Sequence, residues 1–129
     1  MTVTPFDLFA SSIHLDQGGQ AHAEQRVYDP ERDGWRLNAF HVETNADVHA
    51  DHWEVHPDAE EVVSCLTGGI RLYFRPEQPG QHEEVIKLTA GSAVIVPQGL
   101  WHRIELDGPS DIIAVSMARG SRLEKRTKV

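Results

Sequence analysis

The chain has 129 residues, 40% of them hydrophobic and 25% charged, with a formal net charge of -8 at neutral pH and a sequence pI near 5.4. That length and composition describe one globular domain, not a multidomain or disordered chain. The acidic balance gives no attraction to a phosphate backbone, so no nucleic-acid partner is expected, and a single cysteine excludes an intrachain disulfide.

The N-terminal stretch "MTVTPFDLFASSIHLD" has no basic start and no long apolar run. Neither a signal peptide nor a membrane span is expected, and the cytoplasm is the default location. Residues 1–33 are polar and show no clear period, and "DQGGQ" and "YDPERDG" are turn-forming. "FDLFASS" reads either as a short helical turn or as an edge strand. This segment is expected to pack on the barrel or on a partner subunit.

From residue 34 the apolar period is close to two, the mark of strands. In "WRLNAFHVE" (35–43), Trp35, Leu37 and Ala39 share one face, and Phe40 and Val42 the other. "EEVVSCLT" (60–67), the pair Gly68–Gly69 and "IRLYFR" (70–75) read together as a β-hairpin. Cys65 falls within the apolar part of that run and is expected to be buried. "PEQPGQHE" (76–83) is a loop. "EVIKLTAG" (84–91), "SAVIVPQG" (92–99), "LWHRIELDG" (100–108) and "SDIIAVSMA" (110–118) follow as short strands with turn signals between them. Such spacing implies an all-β sandwich or barrel. The last eleven residues, "RGSRLEKRTKV", hold five basic side chains and one acidic, and read as a solvated tail. The expected layout is an N-terminal segment over 1–33, a barrel over 34–118 and a basic tail over 119–129.

Titratable chemistry is concentrated in "HWEVHPDAEEVVSCLTGG" (52–69). Residues two apart on a strand leave the same face, about 6.6 Å apart, so His52, Glu54 and His56 share one side. Pro57 ends the strand, "PDAE" turns the chain, and Glu61 is expected on the neighbouring strand. Glu60 then faces solvent. Further on, Gly91, Pro97 and Gly99 shape the turns that deliver His102 from a distant strand. Imidazole and carboxylate donors that converge inside a barrel suit a divalent first-row metal.

The spacing of Gly91, Pro97, Gly99 and His102 in "GSAVIVPQGLWH" is that of the second motif of the cupin superfamily. The Asn that closes the motif is Leu106 here. His56, Glu61 and Gly68 fit the first motif from its second histidine onward, and Glu54 stands where the first histidine is expected. The chain resembles the small single-domain bacterial members of the RmlC-like cupin superfamily, with a conserved barrel of the cupin-2 type. That resemblance implies an all-β, double-stranded β-helix or jelly-roll barrel. It also implies a metal site, which the family usually builds from three His and one Glu around Mn, Fe, Ni, Cu or Zn. The corresponding set here is Glu54, His56, Glu61 and His102. The second carboxylate adds hard-oxygen character and favours Mn or Fe, with Zn or Ni as alternatives.

Glu54 carries three readings: a ligand, a catalytic general base beside the metal, or the sign of a site that no longer holds one. His52 is a substitute ligand or a group that orients one. Tyr73 and Trp101 are pocket candidates, whereas Trp53 is read as packing. Arg71 and Arg103 line the pocket or lie on a sheet face. His14, His22, His41, His49 and His82 have no informative spacing and are expected at the surface.

The resemblance implies a metal-binding protein acting on an unidentified small molecule, with dioxygenase, decarboxylase or isomerase chemistry. Two alternatives stand beside it. One is a small-molecule binding or sensing barrel without turnover. The other is a metal-free acid–base enzyme resembling sugar-nucleotide epimerases, with Tyr73 as the acid. Exposed sheet edges need cover, so a homodimer is expected.

Overall fold

The computed structural model describes residues 2–127. Eleven strands are present among them: β1 (Ser11–Leu15), β2 (Ala21–Gln25), β3 (Trp35–Val42), β4 (His52–Val55), β5 (Glu61–Thr67), β6 (Gly69–Phe74), β7 (Glu84–Thr89), β8 (Ser92–Val96), β9 (His102–Leu106), β10 (Ser110–Met117) and β11 (Arg122–Lys125). Two short 3-10 turns, Leu8–Ala10 and Asn45–Val48, are the helical elements among the described residues. Among the described residues no helix is long and apolar enough to cross a membrane.

The strands form two antiparallel sheets. The larger runs β2-β1-β3-β10-β5-β8 and the smaller β11-β4-β9-β6-β7. From β3 to β6 and again from β7 to β11 the chain crosses to the other sheet at every connection, as in a jelly roll, so the architecture is the all-β barrel that the period of two implied. The core lies between the sheets. Ile70, Leu72 and Phe74 project inward from β6 against Val42, Val63, Cys65, Leu88, Val96 and Ile112. Tyr73 and Arg71, at the opposite parity, face outward, as the period of two requires.

The hairpin expected across Gly68–Gly69 is not there. β5 pairs with β8 and β10, whereas β6 pairs with β7 and β9. The glycines make a corner that carries the chain from one sheet to the other. Gly68 has φ +83°, and a Cβ at that position would lie 2.3 Å from Ser110 Oγ and 2.4 Å from the Pro109 carbonyl oxygen. Only glycine allows both the backbone conformation and the approach of β10.

Both ends of the chain are built into the sheets. Within residues 1–33, β1 and β2 extend the larger sheet, with β1 paired to β3. The basic tail is not frayed: β11 pairs with β4, setting Leu123 opposite Glu54. An otherwise unpaired edge of β4 explains why so polar a segment forms a strand. Residues 128 and 129 of that tail lie outside the described residues.

Candidate metal centre

Four side chains from three strands and one loop meet at one end of the barrel. Glu54 lies on β4, directly across from His102 at the start of β9. His56 follows β4 immediately. The loop before β9 is clipped to it: Gly99 N–H donates to the His56 carbonyl at 3.0 Å, and Gln98 Nε2 donates to the Pro57 carbonyl at 2.7 Å. Glu61 opens β5. It therefore comes from the opposite sheet, not from the strand beside β4, and the site straddles the two sheets.

One donor atom from each of Glu54, His56, Glu61 and His102 lies within 4.8 Å of all the others. Glu61 is the hub: its Oε2 is 3.1 Å from His56 Nε2 and its Oε1 is 2.8 Å from His102 Nε2. Glu54 Oε1 is 3.1 Å from His56 Nε2 and 3.7 Å from His102 Nε2. The side chains of His56, Glu61 and His102 are buried, but that of Glu54 is 42% exposed. Glu54 forms the open side of the cluster.

Both imidazoles are held by their other nitrogen. His102 Nδ1–H donates to the Leu100 carbonyl at 3.0 Å. Ser121 Oγ donates to the Met117 carbonyl at 3.1 Å, so at 2.7 Å from His56 Nδ1 it accepts that ring's proton. Each Nε2 lone pair therefore points at carboxylate oxygens. Such a pair needs a cation between them, either a proton or a metal ion. With protons alone, burial opposes charge on His56, but Glu54 and Glu61 outweigh it and push its pKa up to about 10. His102 moves upward in the same way: burial opposes the shift and Glu61 overcomes it. Burial pushes Glu61 up, but hydrogen bonds from His102 and His56 hold it below the usual carboxylate range. Two imidazole nitrogens and two hard oxygens, with the nitrogens' tautomers fixed, fit a divalent first-row ion.

No protein-family model matches this chain, and no curated protein matches it in sequence. Solved structures do match in shape. A cupin-2 domain protein from Shewanella frigidimarina is 21% identical, over 67% of this chain and 74% of its own, with a TM-score of 0.50. Bacillus subtilis oxalate decarboxylase, described with Mn(II) centres, is 17% identical over 70% of this chain, with a TM-score of 0.53. Fe(II) HppE in complex with its substrate is 20% identical over 64% of this chain, with a TM-score of 0.50. The chain has the cupin fold. It spans 23% of the oxalate decarboxylase chain and 42% of the HppE chain, so it corresponds to part of each.

Beside the cluster the cupin barrel holds a cavity of about 450 Å³, lined by both sheets and including Glu54, His56 and Glu61. That is room for a small molecule. Three residues expected at this pocket are elsewhere. His52 turns to Asp51, with Nδ1 2.8 Å from Oδ1, because one strand repeat carries it away from the cluster. Tyr73 lies on the outer face of the smaller sheet, under the Arg103 guanidinium at 4.0 Å. Trp101 lies on that face too, between Arg75 at 4.2 Å and Arg122 at 5.6 Å. Arg71 and Arg103 belong to this outer stack, and Trp53 packs within it.

One histidine expected at the surface differs: His14 is buried, with Nε2 2.9 Å from the Asp33 carbonyl oxygen. His49 is exposed, at the rim of the cavity. The sequence reading missed Ser121, which fixes His56, and Tyr28, whose hydroxyl donates to the Ser121 carbonyl at 2.9 Å. It also missed Arg36, Asn38 and Ser12 on the cavity wall. Alternation along "WRLNAFHVE" places Arg36 and Asn38 with Phe40 and would have found them. Nothing local marks Ser121.

Proposed function

We propose that this chain is a metalloenzyme that binds one divalent ion, Mn or Fe, through Glu54, His56, Glu61 and His102, and acts on a small molecule in the adjoining cavity. The observation that supports this is the pair of buried histidines, each held at Nδ1 and aimed by Nε2 at Glu61. The hard oxygens favour Mn or Fe over softer ions. Two solved structures of the same fold are described with Mn(II) and Fe(II).

A divalent ion in this place supplies polarisation of a bound oxygen, the chemistry of decarboxylases, isomerases and oxygenases. The protein's own part is to hold and shield. His56, Glu61 and His102 are closed off from water, so only the Glu54 side admits a ligand. Glu54, exposed and facing the cavity, is also the group placed to take a proton from that ligand. The epimerase-like alternative loses its acid, because Tyr73 lies outside the barrel.

Elemental analysis of untagged protein tests this reading. Near-stoichiometric Mn or Fe is expected in wild type and none in the His56→Ala, His102→Ala double variant. Wild type that takes up no metal after incubation with Mn²⁺ and Fe²⁺ overturns it. Metal uptake with no oxygen consumption and no turnover across an acid and ketone screen would make the barrel a binding module.

The homodimer is a second proposal. β2 is the outermost strand of the larger sheet and is exposed along most of its length, which leaves an edge for a second copy. Light scattering on a size-exclusion column should give twice the chain mass; a monomer at micromolar concentration removes the proposal.

A further inference from the structure

Arg36 lines the cavity from β3, on the same face as Asn38 and Phe40. Its position relative to the metal centre follows from the ladders. β3 pairs Arg36 with Ser116 on β10. β10 pairs Val115 with Val62 on β5, so Ser116 and Glu61 are the next positions along. Arg36, Ser116 and Glu61 therefore form one row across the inner wall. Two strand spacings separate its ends, about 9.6 Å between backbones.

The charges along this wall do not cancel without a ligand. Arg26, the other cation of the cavity, gives its guanidinium to the carbonyls of Leu8, Ser11 and Ala39. Asp47 accepts backbone N–H groups of Glu43 and Thr44. Arg36 uses Nη1 alone, donating to the Val27 carbonyl at 2.8 Å, and no carboxylate among the described residues pairs with it. With Glu54 and Glu61 offset by a divalent ion and Asp47 held by backbone N–H groups, Arg36 is the cavity arginine whose guanidinium keeps free donors. It faces a polar rim and an apolar wall of Phe40, Val63 and Ile112.

We propose that the ligand of this cavity is a small monocarboxylic acid whose carboxylate is held by Arg36, while a hydroxyl or carbonyl oxygen at its far end faces Glu54 and Glu61. This rests on the metal reading above for the far end only. A guanidinium with free donors forks onto a carboxylate through two charge-assisted hydrogen bonds. The apolar wall takes the carbon chain, and the span suits an acid on the order of four carbons. A dianionic phosphate would need a second free cation, and Arg26 is already committed.

Calorimetric titration of 3-hydroxybutyrate and 4-oxopentanoate tests this, each against its primary amide. The proteins are wild type, Arg36→Ala and Arg36→Lys, both Mn-loaded and metal-stripped. At least one acid should bind wild type, at least tenfold more tightly than its amide. Arg36→Ala should lose at least tenfold, and Arg36→Lys should recover part, since an ammonium keeps the charge without the fork. The metal-stripped protein should bind more weakly and keep its dependence on Arg36. Equal affinity in Arg36→Ala, equal affinity for the amide, or no binding of either acid overturns the proposal. Should Arg36→Ala fail to fold, the lysine variant and the amides decide. Failure of the metal reading alone looks different: no Mn uptake, with acid binding that still requires Arg36.

Discussion

Ser121 Oγ stands 2.7 Å from His56 Nδ1, although 65 residues separate them in the chain. The contact exists because β11 folds back on β4 and brings the start of the C-terminal strand under the site. Through it the last strand of the barrel sets the tautomer of a residue in the first motif.

Ser121→Ala should therefore weaken metal binding without unfolding the protein. Removing an outer partner of a ligating histidine typically costs about 10–100-fold in metal affinity. Competition against a chromogenic chelator should show a loss in that range, with thermal unfolding of the metal-free protein little changed. Unchanged affinity would mean that the Nδ1 contact has no hold on the ligand ring.

The metal-free protein should have its own pH signature. His56 is raised to about 10, so its contribution is fully present below its unfolded value, near 6.5, and is lost as pH rises through about 10. Glu61 is depressed, so its contribution is present above the ordinary carboxylate value and lost as pH falls toward acid. The melting temperature of stripped protein should fall between pH 7 and 10. Glu61→Gln removes the shared carboxylate and should flatten that slope. A slope unaffected by Glu61→Gln would show that the histidines are not protonated by this cluster. Metal binding should also release protons, visible as a buffer-dependent heat.

The barrel was legible because its strands alternate, and His56, Glu61 and His102 because glycine and proline fix the turns around them. Partner strands were not legible. A Gly pair between two strands suits a hairpin and an inter-sheet corner equally, and only the approach of Ser110 to Gly68 decides. Parity gives a face but not a distance: His52 shares a side with Glu54, yet one strand repeat puts it beside Asp51. Tyr73 and Trp101 face outward, and aromatic character alone does not say which side of a sheet is dry. The tail has no apolar period, so its pairing with β4 could come only from the edge it covers.

Gly68→Ala should be among the most damaging small substitutions. The added Cβ meets backbone oxygen at 2.4 Å and the residue keeps a positive φ. A cost of about 2–3 kcal/mol is expected. Urea unfolding should show a lower midpoint with unchanged slope. Gly80, which also has a positive φ but open space around it, should lose less on the same change.

Arg103 should matter for stability and not for the metal. Its side chain is 4% exposed, it lies between the rings of Tyr73 and Trp53, and it pairs with Glu83 at 3.0 Å and with Glu105. Truncation to alanine removes both the stacking and the charge that these carboxylates face. Because Glu83 and Glu105 are partly solvated, the expected loss is about 2–3 kcal/mol, below that of a fully buried pair. Metal content should stay at the wild-type level, as should that of Tyr73→Phe. An Arg103→Ala protein that folds normally but takes up no metal would place this outer stack in the service of the site, and the division between the two faces of the smaller sheet would have to be redrawn.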